Sequence, residues 1–158
     1  MCTPRSAHRR TAGGFSLLEL VLVVAILTVI GAIAMPRYAD AAARYRADLA
    51  ARRVAADLAM VQAAAYEAGA SRSVLFDPVN ETYSIAGIDD LRSAETTYRV
   101  RLDRSPYEVD LTSADFAGAK TITFNGHGVA STDGAIVLGV GAASRTISID
   151  LSGRISVQ

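Results

Sequence analysis

Cysteine and histidine are almost absent from this chain, so it has few of the side chains that most often act as catalytic nucleophiles, catalytic bases or zinc ligands. Cys2 is the only cysteine, so the rest of the chain needs no disulfide and has no structural zinc site built on cysteine. His127 is the only histidine after residue 14, and it lies between two glycines, as exposed turn residues often do. No glycine-rich phosphate loop precedes a helix. The sequence therefore predicts a protein that is not an enzyme and that uses no cofactor or metal.

A surplus of positive charge is also lacking. The chain has 16 basic and 16 acidic residues, but Arg5, Arg9 and Arg10 lie in the first 14 residues, where there is no acid. Without these three arginines, 13 basic residues face 16 acidic ones, a formal charge of about −3. Nucleic-acid-binding proteins usually carry a basic surplus on one face. The charge balance therefore gives no general support for binding to DNA or RNA.

What the sequence does have is a long apolar run. Residues 15–35 are apolar except for Ser16, Glu19 and Thr28. As a helix this run would be about 31 Å long, which is enough to cross a bilayer core. An ionisable group inside a bilayer costs roughly 2.5 kcal/mol or more, so Glu19 is expected to have a function and a partner. Alternatively, Glu19 lies near the lipid headgroups, where its charge costs little.

The residues around the apolar run fall at fixed spacing. Gly14 directly precedes Phe15, Glu19 is the fifth residue counted from Phe15, and Pro36 is the twenty-second. The pattern resembles the type IV prepilin signal, which is a short basic leader ending in glycine before an apolar helix. The resemblance implies cleavage between Gly14 and Phe15 by prepilin peptidase, followed by N-methylation of Phe15. It also implies assembly into a pilus or pseudopilus, with Glu19 and Pro36 as the residues that serve assembly.

A second interpretation of the same stretch is a secretory signal. Such a signal would be cut after its apolar region, near Ala32-Ile33-Ala34. The glycine boundary, with Glu19 behind it, favours a cut before the apolar region. Residues 1–14 are then a leader, and residues 15–35 are a transmembrane helix in the inner membrane. The leader arginines should stay in the cytoplasm, which would place the C-terminal domain in the periplasm.

Residues 36–69 are predicted to form an amphipathic helix that continues the membrane segment. Pro36 disfavours helix at Met35, so we expect a kink near residues 32–36. Gly69 is well placed as the C-terminal cap. Apolar residues recur at helical spacing at Tyr38, Ala42, Tyr45, Leu49, Val54, Leu58, Val61, Ala65 and Ala68. Charged residues lie between them, on the face predicted to be solvated: Arg37, Asp40, Arg44, Arg46, Asp48, Arg52, Arg53, Asp57 and Glu67.

After Gly69 the hydrophobic period changes from 3.6 to 2, which indicates strands. The predicted strands cover residues 73–76, 82–85, 97–102, 107–111, 121–124, 135–138, 145–151 and 154–157. Turns are predicted at 77–80, 104–106, 125–128 and 152–153, and loops at 86–96 and 112–119. One long helix followed by short strands predicts an α+β fold, with antiparallel sheets in residues 70–158 packed against the helix.

Three segments of this second half are similar to the GspH/FimT family: residues 56–69 with the strand at 74–76, residues 122–128, and residues 149–155. The resemblance implies a type IV pilin-like fold and a minor pseudopilin of type II secretion. Such a subunit helps to initiate or cap a short periplasmic filament. Its implied partners are other pseudopilin or pilin subunits, prepilin peptidase, the inner membrane and secreted cargo.

The resemblance also keeps a second function open, that of a type IV minor pilin in pilus assembly or DNA uptake. A stripe of arginines for DNA would draw on Arg99, Arg101, Arg104, Arg145 and Arg154, although the acidic balance counts against it. The cluster Arg44, Arg46, Arg52 and Arg53 is predicted to be a solvated face or a contact to neighbouring subunits. Asp89, Asp90 and Glu95 could supply oxygen ligands for calcium, but loop solubility explains these acids more simply.

Overall fold

The computed structural model describes residues 14–87 and 97–158. They contain one helix, α1 (Leu17–Ala68), followed by strands that we number in chain order. The strands are β1 (Arg72–Asp77), β2 (Thr82–Ile85), β3 (Tyr98–Arg101), β4 (Asp110–Asp115), β5 (Thr121–Phe124), β6 (Gly134–Val140), β7 (Ala143–Ile149) and β8 (Ile155–Val157). The chain divides into two compact units, one ending at Tyr38 and one beginning at Ala39.

The first unit contains the N-terminal part of α1. Leucine is the commonest residue of this segment, and it loses little conformational freedom in a helix. The hydroxyl of Thr28 donates to the carbonyls of Val24 (2.9 Å) and Ala25 (2.7 Å), as expected for a hydroxyl on an apolar helix. The helix does not end at Pro36, which lies inside α1. The expected kink near residues 32–36 stays a prediction.

In the second unit, α1 buries a face that the sequence predicted only in part. The buried helix residues, spaced by one, three or four, are Ala47, Ala50, Ala51, Val54, Leu58, Val61 and Ala65. The prediction was right for Val54, Leu58, Val61 and Ala65 and wrong at Tyr45, which is 70% exposed, and at Ala68, which is also exposed. Alanine is the commonest residue in this part of the helix, and its small side chain does not show which face is buried. Asp57, predicted to be solvated, is also buried.

Gly69 ends the helix as predicted. Its backbone is left-handed, with φ of 55°, which glycine adopts without steric cost. The amide of Ala70 donates to the carbonyl of Ala65 (3.2 Å), and the amide of Gly69 donates to that of Tyr66 (3.2 Å). These bonds satisfy carbonyls at the helix end and turn the chain into β1.

Two four-stranded antiparallel sheets follow the helix. Their strand orders are β3-β2-β1-β5 and β4-β6-β7-β8. One core joins both sheets to α1, and it includes Leu58, Phe76, Tyr83, Ile85, Leu111, Phe116, Ile122, Phe124, Ile136, Leu138 and Ile147. The predicted α+β class with antiparallel sheets packed on the helix is confirmed.

β4 is the strand that the sequence placed wrongly. The prediction set a strand at 107–111 and a loop at 112–119, whereas β4 runs from Asp110 to Asp115. The pairing of β4 with β6 shifts between Leu111 and Ser113, which is a β-bulge. Because of the bulge, Leu111 and Ala114 are both buried although they are three residues apart. The alternation expected of a strand is therefore broken.

Candidate functional site

The peptide bond predicted to be cleaved, between Gly14 and Phe15, lies just before α1 begins at Leu17. Both residues are outside regular secondary structure, and Phe15 is 82% exposed. A Cβ atom placed on Gly14 would meet no other atom within 4 Å. Packing of the described chain therefore does not require glycine at this position.

Glu19 lies in the first turn of α1, and its side chain is exposed. A carboxylate in the first turn is favoured by the helix dipole, by about 0.3–1 kcal/mol at an exposed site. Among the described residues, none forms an ion pair with Glu19. The partner expected for it, the amine that cleavage would create on Phe15, does not exist in the uncleaved chain.

The apolar part of α1 in the first unit exposes its side chains on every side. None of its most apolar 18-residue window is buried, and within the described residues this is the one helix long and apolar enough to cross a membrane. Soluble monomers rarely expose a contiguous apolar surface of this extent. The exposed large side chains are Leu17, Leu18, Leu20, Val21, Leu22, Val23, Val24, Ile26, Leu27, Val29, Ile30, Ile33 and Met35. An apolar surface of this extent is typical of a helix that lies in lipid or against other apolar helices.

In the second unit, two turns converge on one side chain of α1. The amide Nε2 of Gln62 donates to the carbonyl of Gly128, at 2.7 Å, in the turn that follows β5. A Cβ atom on Gly153, in the turn between β7 and β8, would lie 2.3 Å from the same Nε2. The backbone at Gly126 also approaches that of Gly69 so closely that a Cβ atom would lie 2.5 Å from its carbonyl carbon. Glycines in these turns thus allow the end of α1 to pack against both.

A second polar contact of α1 is the buried carboxylate of Asp57. Its Oδ2 accepts hydrogen bonds from the hydroxyl of Tyr83 (2.5 Å), from Nε of Arg53 (3.0 Å) and from the hydroxyl of Tyr98 (3.3 Å). The guanidinium of Arg53 also donates to the hydroxyl of Tyr98. Tyr83 is in β2 and Tyr98 in β3, so one carboxylate joins two strands to the helix. Burial, together with the negative charge of Asp57, raises the pKa of the Tyr83 phenol well above its usual range.

The family of the chain follows from its second unit. The family model of the type II transport protein GspH matches residues 50–153, which include most of the buried helix face, Asp57, Gln62, Gly128 and Gly153. The chain belongs to the GspH family.

Solved structures agree with this fold. The GspH-family chain is similar to the type IV minor pilin FimU of Pseudomonas aeruginosa in two crystal forms. One form has a TM-score of 0.52 and 20% identity, covering 73% of this chain and 90% of FimU. The other has a TM-score of 0.50 and 19% identity, covering 70% and 91%. The likeness shows a type IV pilin-like fold. No curated protein matches the sequence.

The arginines considered for DNA do not gather on one sheet of this GspH-family domain. Arg99 and Arg101 lie in β3 of the first sheet, whereas Arg145 lies in β7 of the second. Arg101 is also held by Asp103 through two hydrogen bonds, Nε to Oδ1 (2.9 Å) and a terminal nitrogen to Oδ2 (2.6 Å). A continuous stripe of unpaired cations is therefore not formed by these three residues.

The arginine cluster on α1 is partly engaged within the domain. Arg52 pairs with Asp48, four residues before it in the helix, at 2.8 Å, and Arg145 approaches the same carboxylate at 3.5 Å. Arg46 pairs with Glu108 at 2.7 Å, and Arg53 belongs to the Asp57 contact. Arg53 thus links the helix to Tyr98 of β3, and Arg46 links it to the segment just before β4, whereas Arg52 pairs within the helix. The sequence did not predict the first two contacts.

His127 and the three candidate calcium ligands were also singled out in the sequence. His127 is exposed in its turn, where its backbone amide donates to Oδ1 of Asn125 (2.9 Å), which fits the predicted turn. Asp89, Asp90 and Glu95 lie outside the described residues. Within residues 14–87 and 97–158, no group of three histidine, cysteine, aspartate or glutamate side chains is placed to hold a metal ion.

Proposed function

We propose that this GspH-family chain is a minor pseudopilin, a structural subunit anchored in the inner membrane by residues 15–35. The observation that carries the proposal is an exposed apolar helix with Glu19 in its first turn, joined in one chain to a GspH-family domain. Lipid covers such a helix before assembly, and neighbouring subunit helices cover it in a filament. The proposed role is structural and involves no catalysis.

Processing would prepare the helix for assembly. Prepilin peptidase removes residues 1–14, and the new amine of Phe15 is then N-methylated. The exposed Gly14–Phe15 bond, which no described residue covers, supports access for the peptidase. The amine keeps its positive charge after methylation, and Glu19 supplies the matching anion within the subunit or to a neighbour. An unpaired charge among apolar helices would be strongly unfavourable.

The machine we propose is the type II secretion pseudopilus, in which the subunit helps to initiate or cap the filament. The support is the family itself, whose model describes a type II transport protein. The β-rich domain would then lie in the periplasm, where it contacts other pseudopilins and secreted cargo. Pro36 is proposed to serve assembly at the end of the apolar segment.

A minor pilin of a type IV pilus, acting in pilus assembly or DNA uptake, is the second candidate. It is favoured by the likeness of the fold to a type IV minor pilin over 73% of the chain. The two candidates predict different losses when the gene is deleted. The first predicts loss of secreted enzymes from the medium, and the second predicts loss of surface pili or of DNA uptake.

The filament role itself is tested by substitution at Glu19. We expect Glu19→Gln, which keeps the shape and removes the charge, to reduce the amount of the subunit in sheared filaments at least tenfold. Ser16→Ala, which changes a polar residue in the same short segment, is the matched control and should leave incorporation unchanged. Wild-type incorporation of Glu19→Gln, at equal levels in the membrane, would refute the filament role.

A further inference from the structure

The first unit changes its surface chemistry at one point. Met35 is the last residue of the apolar run, and Arg37 and Tyr38 follow directly after Pro36. Both side chains are exposed, Tyr38 by 80%, and both residues are helical. Among the described residues, none forms an ion pair with Arg37. A guanidinium and an aromatic ring with a polar tip thus occupy successive helix positions where the apolar surface ends.

The length of the apolar run sets the depth of these two residues, if residues 15–35 span the membrane as proposed above. The helical part of the run, residues 17–35, is about 28 Å long, close to the thickness of a bilayer core of roughly 30 Å. Arg37 and Tyr38 then reach the headgroup layer rather than the hydrocarbon or bulk water. Tyrosine is enriched at this depth because its ring is apolar and its hydroxyl is polar.

The headgroup layer offers Arg37 one abundant anion, the phosphate diester of the lipids. A guanidinium matches a phosphate with two parallel hydrogen bonds, and it is less strongly hydrated than an ammonium group. A zwitterionic lipid partly neutralises its own phosphate with a positively charged ammonium group, whereas an anionic lipid such as phosphatidylglycerol does not. We propose that Arg37 is a binding site for the headgroup phosphate of an anionic phospholipid. One arginine at the surface corresponds to about a fivefold preference for anionic lipid.

The chain contains no tryptophan, so one introduced tryptophan reports on one position. The full chain carrying Tyr38→Trp is reconstituted in vesicles of equal parts phosphatidylglycerol and phosphatidylcholine. Bromine atoms high on the acyl chains quench nearby tryptophan, and they are placed on one lipid or on the other. We expect brominated phosphatidylglycerol to be enriched about fivefold over brominated phosphatidylcholine around this tryptophan. Equal quenching by the two lipids would overturn the proposal.

Two further variants in the same background assign the preference to Arg37. Arg37→Gln, which removes the charge, should make the two lipids quench equally, whereas Arg37→Lys should keep a preference for phosphatidylglycerol. A full preference in Arg37→Gln would overturn the assignment. Inorganic phosphate, exchanged for chloride at constant ionic strength, should leave the preference unchanged. If it abolished the preference, the site would belong to free phosphate and the lipid assignment would be wrong.

A separate variant distinguishes failure of this site from failure of the proposed anchor. Leu27→Trp places the reporter in the middle of the apolar run, where lipids brominated deep in their acyl chains should quench it whichever headgroup they carry. If Leu27→Trp is quenched and Tyr38→Trp shows no preference, the anchor stands and the lipid site is overturned. If Leu27→Trp is not quenched, the membrane anchor fails, and the lipid site fails with it.

Discussion

The side-chain amide of Gln62 donates a 2.7 Å hydrogen bond to the carbonyl of Gly128, and this contact ties the last turns of α1 to the turn after β5. The turn between β7 and β8 meets the same amide at Gly153. Residues 122–128 and 149–155, which are far apart in the sequence and both similar to the GspH/FimT family, therefore meet at Gln62. The glycines of both segments let the backbone approach the helix closely.

Gly153 is expected to be the least replaceable glycine of these turns. Its φ is 81°, and a Cβ atom would lie 2.3 Å from Gln62 Nε2 and 2.5 Å from the Gly128 carbonyl oxygen. We expect Gly153→Ala to lower the free energy of unfolding by about 3 kcal/mol, because backbone strain adds to a steric clash. The measurement is denaturant unfolding of the full chain in detergent, monitored by circular dichroism.

Gly141→Ala is the matched control for that prediction. Gly141 also has a left-handed backbone, with φ of 58°, but a Cβ atom there would meet nothing within 4 Å. The control should therefore cost only the backbone strain, about 1–2 kcal/mol. Equal losses for the two variants would mean that the contact with Gln62 contributes nothing.

Asp57 should be the most destabilising acid to remove. Asp57→Ala leaves the hydroxyl of Tyr83 and the guanidinium of Arg53 without their shared acceptor, and only 9% of the Asp57 side chain is exposed. We expect a loss of about 3 kcal/mol in the free energy of unfolding. Asp48→Ala breaks the more exposed pair with Arg52 and should cost less than about 1 kcal/mol. A loss at Asp57 no larger than that at Asp48 would contradict the role assigned to the buried carboxylate.

The same cluster predicts that the domain is sensitive to alkali. Burial and Asp57 raise the pKa of Tyr83, so between pH about 10 and its folded pKa the native phenol keeps a proton that the unfolded one loses. The unfolded state then binds fewer protons, and stability falls as pH rises, by up to about 1.4 kcal/mol per pH unit. Below pH about 10 this contribution is fully present. Unfolding free energies measured from pH 9 to 11 should show the fall.

Tyr83→Phe tests the source of that slope. The variant should be less stable at neutral pH, because Asp57 loses a donor, but its stability should fall less steeply above pH about 10. Tyr66→Phe changes a tyrosine that is 68% exposed and should keep the wild-type slope. An unchanged slope in Tyr83→Phe would assign the alkaline fall to another group.

Much of the fold could be predicted because its signals are local. A hydrophobic period of 2 or a set of turn residues, confined to a few neighbouring positions, marks each element that was placed correctly. These elements include the strands β1, β2 and β5, the cap at Gly69 and the last hairpin. β4 could not be placed, because its bulge between Leu111 and Ser113 breaks that period. The buried face before Val54 was missed because alanine, the commonest residue there, does not show which face is buried.

The polar contacts of the domain could not be predicted from patterns in the sequence. In the sequence, Arg53 and Asp57 are four residues apart and resemble an ordinary exposed ion pair on a helix. Asp57 is a buried hydrogen-bond acceptor because Tyr83 of β2 and Tyr98 of β3 donate to it, and these contacts come from the tertiary fold. Gln62 carries no sequence signal of its own, although the glycines that meet it were correctly predicted to lie in turns. The processing and assembly residues were predicted from a linear motif, which needs no knowledge of tertiary contacts.

The central claim is that the chain is processed as a pilin-class subunit. The most direct test is the mass and N-terminal sequence of the protein extracted from membranes, from cells with and without prepilin peptidase. If the chain is processed in this way, it begins at N-methylated Phe15 in the first case and is uncleaved in the second. A chain that keeps Met1 in both strains, or one cut after Ala34, would separate Glu19 from any filament role and show that the chain is not a pilin-class subunit.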